Sequence, residues 1–186
     1  MGNVLVFLAD FPKEKALVGE ILIAYGELEN SLVDLVDSIV DDDLDTALRA
    51  LFRLRSEGQR LDVADAMVRK WLKEQGLERE YTKAFAAMQR CKSIRNNYAH
   101  CTWFAKGERL LFINLEDSAK CRDGPCMLQP LRVDLQLLQK QRGFFDYTED
   151  ALIHVAESYR RKLGRGDEGR GVSMPKAVQF PALHLK

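Results

Sequence analysis

The sequence predicts a mainly α-helical protein that carries one short β-hairpin. Apolar residues recur at alternating spacings of three and four along most of the 186 residues, as they do in helices with one buried face. Aromatic and branched residues flank a Lys106-Gly107 step, which reads as a tight turn between two strands. A hydrophobic share of 46% and a charged share of 30% are those of an ordinary globular core. The length favours a single helical domain over residues 1–163, followed by a Gly-rich linker and tail at 164–186.

The first helix is expected from Lys15 to Val40, with Ile21, Tyr25, Leu28, Leu32, Leu35 and Ile39 as its stripe. Gly19 and Gly26, seven apart, would let another helix approach closely. Glu20, Glu27 and Asp34 share that spacing beside the stripe, as a solvated edge or as hydrogen-bond partners for Arg95 or His100. The run Asp41-Asp42-Asp43 ends this helix and supplies the cap and first-turn charge of the next.

A second helical stretch runs from Leu44 to Gln75, with Leu48, Leu51 and Phe52, then Leu61, Ala64, Val68 and Trp71, on its buried side. Gly58 is the expected bend and Gly76 the C-cap. The third helix extends from Glu78 to His100 and buries Ala84, Ala87, Cys91, Ile94, Tyr98 and Cys101. Strands follow at Thr102–Phe104 and Arg109–Leu115, and a loop covers Cys121–Pro130. The last helix spans Val133 to Leu163, with Leu135, Leu138, Phe145, Leu152, Val155 and Tyr159 inward and Gly143 as a break point. The segment after Leu163 reads as a flexible linker, and Met174–Lys186 as a tail without an assigned role.

Composition narrows the function classes. No stretch approaches the roughly 18 apolar residues of a spanning helix, so no membrane partner is expected. The apolar start Val4–Ala9 is short and lacks a basic leader, which places the chain in the cytoplasm. Twenty-eight basic residues balance 28 acidic ones, so any nucleic-acid site must be a local patch rather than a bulk charge effect. Cys91, Cys101, Cys121 and Cys126 form no CxxC pair. A metal site using Cys121, Cys126 and His100 has the wrong spacing for a zinc knuckle, so neither a metal nor a cofactor is expected. His154 and His184 form no ligand pair, and there is no Gly-rich phosphate loop, nucleophile elbow or H-E-x-x-H run.

The third helix carries the chemistry. Lys92, Asn96 and His100 are four apart and share one strip of its surface. Arg95 lies on the shoulder beside them, with Phe85 and Met88 on the same flank, a mixed apolar and basic surface of the kind that takes a partner.

The run Arg95-Asn96-Asn97-Tyr98-Ala99-His100 resembles the R-x4-6-H motif of the HEPN superfamily, including the polar residue directly after the arginine. The step into Cys101-Thr102-Trp103 and a hairpin is also similar to members whose motif helix leads into a small β element. The resemblance is specific over six residues and architectural over about 150. It implies an up-and-down helical bundle, a homodimer pairing two motif helices, and metal-independent RNA cleavage with Arg95, Asn96 and His100 as catalytic residues. It also implies a toxin or phage-defence role, with an antitoxin or other partner protein. Where some toxin members have a tyrosine two residues after the histidine, this chain has Thr102, so a role resting on that tyrosine does not carry over.

The residue chemistry suits that implication. Attack of a 2′-hydroxyl on its adjacent phosphate needs a base, an acid and a cation to stabilise the added charge. An unperturbed imidazole titrates near 6.5, and guanidinium offers a permanent planar fork to phosphate oxygens. Lys92 would add RNA-binding potential, and Asn96 would orient His100 or hold phosphate. Two copies would supply two imidazoles and two guanidiniums to one site. Three other readings stay open. A HEPN module could bind RNA, nucleotide or protein without catalysis, or the chain could be a structural dimer with an accidental motif. Or His100 could simply end a helix while Arg95 pairs with a carboxylate and Tyr98 belongs to the core.

Overall fold

The computed structural model describes residues 8–41, 43–119, 128–165 and 173–185. Helices α1 (Pro12–Ile39), α2 (Leu44–Phe52), α3 (Glu57–Glu74) and α4 (Glu78–Ala99) precede strands β1 (Cys101–Lys106) and β2 (Arg109–Asn114). A five-residue helix α5 (Leu115–Ala119), a three-residue strand β3 (Leu131–Val133) and the long helix α6 (Leu135–Lys162) complete the order. The protein is therefore mainly helical with a small antiparallel sheet of order β1-β2-β3.

Local chemistry explains the boundaries. Asp43 caps α2 by accepting from the Thr46 amide at 3.1 Å, and its second oxygen takes the Thr46 hydroxyl at 2.6 Å. Those bonds hold the Asp43 carboxyl below the usual carboxylate range. Asp41, at φ 61, makes the turn before it and pairs with Arg165 at 2.7 Å. The acidic run thus ends α1 at Asp41 and supplies the cap at Asp43, the first-turn charge of α2 comes from Asp45 instead, and Asp42 lies outside the described residues. Gly76 ends α3 at φ 69: its amide reaches Lys73 O while Leu77 N reaches Leu72 O, the paired bonds of a Schellman cap. Gly164, at φ 71, closes α6 in the same way onto Arg161 and Arg160.

The chain divides into two compact units, and α1, α4 and α6 each contribute one stretch to both. One unit comprises Gly26–Met88 and Asp146–Val178. Its core is Leu28, Leu35, Leu51, Leu72, Tyr81 and Leu152, all at most 2% exposed. Here Arg160 is held between Asp34, Asp37 and Glu157 at 2.6, 3.6 and 3.2 Å, and Tyr81 donates to Asp65 at 2.8 Å. Several expected details differ in this unit. The second helical stretch is broken at 53–56 rather than at Gly58, which lies inside α3. Leu48, Phe52 and Trp71 are exposed, whereas Ala47 and Leu72 are buried. The break resets the helical phase, so one stripe cannot be continued across it. Phe85 and Met88 are 7% and 0% exposed, not the open apolar flank expected of them. The buried positions of α4 from residue 84 to 98 span about two thirds of its circumference at 100° per residue, wider than a single stripe.

The other unit comprises Met1–Tyr25, Gln89–Phe145 and Gln179–Lys186. Its sheet pairs Cys101 with Asn114 and Lys106 with Arg109 across the Gly107-Glu108 turn, where Gly107 takes φ 61. β3 then adds to β2 through Leu110–Val133 and Phe112–Leu131 pairs. The expected hairpin is thus part of a three-stranded sheet, and Val133, expected to open the last helix, belongs to β3. Three residues are too few for alternation to register. α6 starts two residues later, at Leu135, capped by Asp134, which accepts from the Leu137 amide at 2.8 Å, and it runs through Gly143 without a break. Tyr98, Trp103 and Phe112 form an aromatic cluster with centroids 5.3–5.5 Å apart. A shallow groove on α1 is lined by Pro12, Ala16, Gly19 and Ile23. A Cβ at Gly19 or Gly26 would meet nothing within 4 Å, so neither glycine serves the close helix approach expected of it.

Candidate functional site

The site residues lie at the C-terminal end of α4, and helix geometry sorts them. Cys91, Ile94 and Tyr98 point into the core, fully buried or nearly so. Arg95 is half-buried on the shoulder of that face, and Lys92 and Asn96 are half-buried farther round the helix. α4 ends at Ala99, so His100 is the first residue beyond the helix, and its side chain is 47% exposed.

Two contacts define Arg95. Its Nη1 donates to Asn96 Oδ1 at 3.0 Å, and its guanidinium carbon lies 5.6 Å from the centroid of the Tyr25 ring. A flat cation resting on an aromatic face and tied at one nitrogen keeps its other donors in a fixed plane. Asn96 is thus engaged by Arg95 rather than by His100.

His100 has a different partner, which the sequence reading missed. Its Nδ1 is 3.6 Å from Glu116 Oε1, an ion-pair distance rather than a hydrogen bond. Leu115 N also bonds to His100 O at 3.4 Å. The hairpin register makes this inevitable: with Cys101 opposite Asn114, the residue before β1 meets the residues after β2. A two-residue turn at Gly107-Glu108, extended in register, would have pointed to Glu116 from sequence. Beneath this corner Asn114 Nδ2 donates to Asn97 Oδ1 at 3.5 Å, both residues buried.

The residues behind the site are buried. The Tyr98 hydroxyl donates to Gln141 Oε1 at 2.5 Å, and burial pushes its pKa upward, as expected of a core residue rather than a stacking platform. Burial also raises the Cys101 thiol to about 12, so it is not a nucleophile near neutrality. Cys91 is fully buried, as expected, whereas Cys101 is only partly so.

Two of the α1 carboxylates expected as partners for Arg95 or His100 pair with other arginines. Glu20 pairs with Arg142 at 3.7 Å, and Asp34 with Arg160. His154 lies 3.5 Å from Ser158 Oγ, and His184 Nδ1 lies 3.1 Å from Leu185 O. Among the described residues no group of three or more His, Cys, Asp or Glu side chains could hold a metal ion, and no helix is long and apolar enough to cross a membrane. Cys121 and Cys126 lie outside the described residues. Compared with protein families, curated proteins and solved structures, the chain finds no match.

Proposed function

We propose that this chain is a metal-independent endoribonuclease of the HEPN type, in which two copies combine their Arg95 and His100 side chains at one site. One observation carries the reading. The six-residue run from Arg95 to His100 sits at an accessible helix end, with the guanidinium fixed by Asn96 and Tyr25 and the imidazole half-exposed beside Glu116. In this reading Arg95 binds the phosphate through its planar fork, and its charge stabilises the pentavalent intermediate. His100 moves the proton of the attacking 2′-hydroxyl, or protonates the leaving 5′-oxygen. One imidazole cannot do both at once, so a twofold pair of sites supplies the acid and the base together. Lys92 adds positive potential along the strip approaching the site. Glu116 orients His100 through Nδ1 and leaves Nε2 for the proton transfer. An up-and-down bundle, a toxin or phage-defence setting and a neutralising partner protein belong to the same proposal.

The test is cleavage of a short RNA by purified protein with EDTA present. Products ending in a 2′,3′-cyclic phosphate are expected, and a substrate with a 2′-deoxy sugar at the cut position should stay intact. Arg95→Ala and His100→Ala should each lower the rate by about 10²–10⁴-fold while preserving the helical spectrum. Full activity in both variants removes the site assignment. RNA binding without product, unchanged in His100→Ala, points instead to a non-catalytic module.

A further inference from the structure

We propose that residues 180–185 occupy a peptide-binding site in the unit that contains the end of α4, and that filling this site fixes the helix end bearing Arg95 and His100. The tail is held almost wholly through its main chain. Arg90 directs Nε, at 3.0 Å, and Nη2 onto the Pro181 carbonyl. Gln141 Nε2 donates to Ala182 O at 2.7 Å and to Leu183 O at 3.4 Å. Leu185 N donates to Arg132 O at 2.8 Å, which adds a bridge to β3. Recognition by backbone hydrogen bonds at a sheet edge is how extended peptides are bound by strand addition. Side-chain selectivity comes from one step: Phe180 meets Phe144 edge-on at 5.2 Å, and Pro181 is buried. Proline lacks an N–H, so burying it leaves only its carbonyl to satisfy, and the Arg90 fork does so. The ligand class is therefore an extended peptide with an aromatic–proline step, supplied here by the chain's own C-terminal segment.

Gln141 connects this site to the motif. Its side chain is wholly buried, with the amide nitrogen on the tail and the amide oxygen on the Tyr98 hydroxyl. Tyr98 lies two residues before His100 and packs on Trp103 at 5.4 Å. An empty site would strand the Gln141 donors and the Arg90 fork and uncover Phe144, which is 2% exposed. Tyr98 and Trp103 would then lose the fixed partner that positions them.

The experiment uses peptide binding and Trp103 emission, so its outcome is independent of whether RNA is cut. A full-length chain carrying Trp71→Phe, which leaves Trp103 as the lone tryptophan, receives a protease site within 164–172. It is cleaved after folding and separated from the released segment. The emission of Trp103 should shift on removal and return saturably with a synthetic peptide matching 179–186. Gln141→Leu should weaken that binding about tenfold or more, the loss expected when a buried hydrogen bond disappears. A helical signal that drops on removal and is restored by the peptide supports the proposal. Emission unchanged by removal, a helical loss the peptide does not restore, or equal binding of a scrambled peptide overturns it.

Discussion

Cys101 shows how one side chain's surroundings set its response to pH. Burial raises its thiol from an ordinary 9.0 to about 12, and the folded state therefore holds the proton more tightly than the unfolded chain does. The stability this confers is complete below about pH 9 and drains away as pH rises towards 12. Urea midpoints measured from pH 8 to 10.5 should fall more steeply for the natural chain than for Cys101→Ala, and equal slopes would show that the thiol is not buried as described. At this scale the sequence was informative where a residue's role is local. Asp43 as a cap, Gly76 as a helix stop and Tyr98 as core were all legible, because each depends on neighbours within a few positions. Glu116 was not read, because its meeting with His100 passes through a hairpin that runs from Cys101 to Asn114.

Gly76 and Gly143 separate backbone strain from space. Gly76 sits in the left-handed region at the end of α3, where a Cβ costs about 1–2 kcal/mol, so Gly76→Ala should lower the thermal midpoint. Gly143 is helical within α6, and a Cβ there would meet nothing within 4 Å. Gly143→Ala should raise stability by about 0.5–1 kcal/mol. Calorimetry on both variants checks the pair, and a destabilised Gly143→Ala would mean that α6 is bent there after all. The elements themselves were foreseen nearly in full, since the four long helical segments and the hairpin each carry a clear period. β3 and the interruption at 53–56 were not, because a three-residue strand has no period and four residues of turn between two helices keep both patterns in view.

Association of identical chains is the requirement that the proposed chemistry places on the whole molecule. Mixing natural protein with excess His100→Ala should then change RNA cleavage out of proportion to dilution, because a composite site senses both copies. A strictly linear loss, together with a monomer mass by sedimentation at all concentrations that support cleavage, would remove the two-copy site. The docked tail belongs to this scale too. The sequence offered Met174–Lys186 no partner, because Arg90, Gln141 and Phe144 all lie far away along the chain and none of their patterns points to it.

Local patterns were enough for the long helical segments, the caps at Asp43 and Gly76, the hairpin turn and the six-residue run from Arg95 to His100, since these follow from periodicities and turn chemistry that act over one or two turns of chain. Packing alone encloses Phe85 and Met88, rests Arg95 on Tyr25, sets His100 beside Glu116 and grips residues 180–185 through Gln141. Each of these joins residues distant in sequence, and their meeting depends on how the elements within a unit pack rather than on any local pattern.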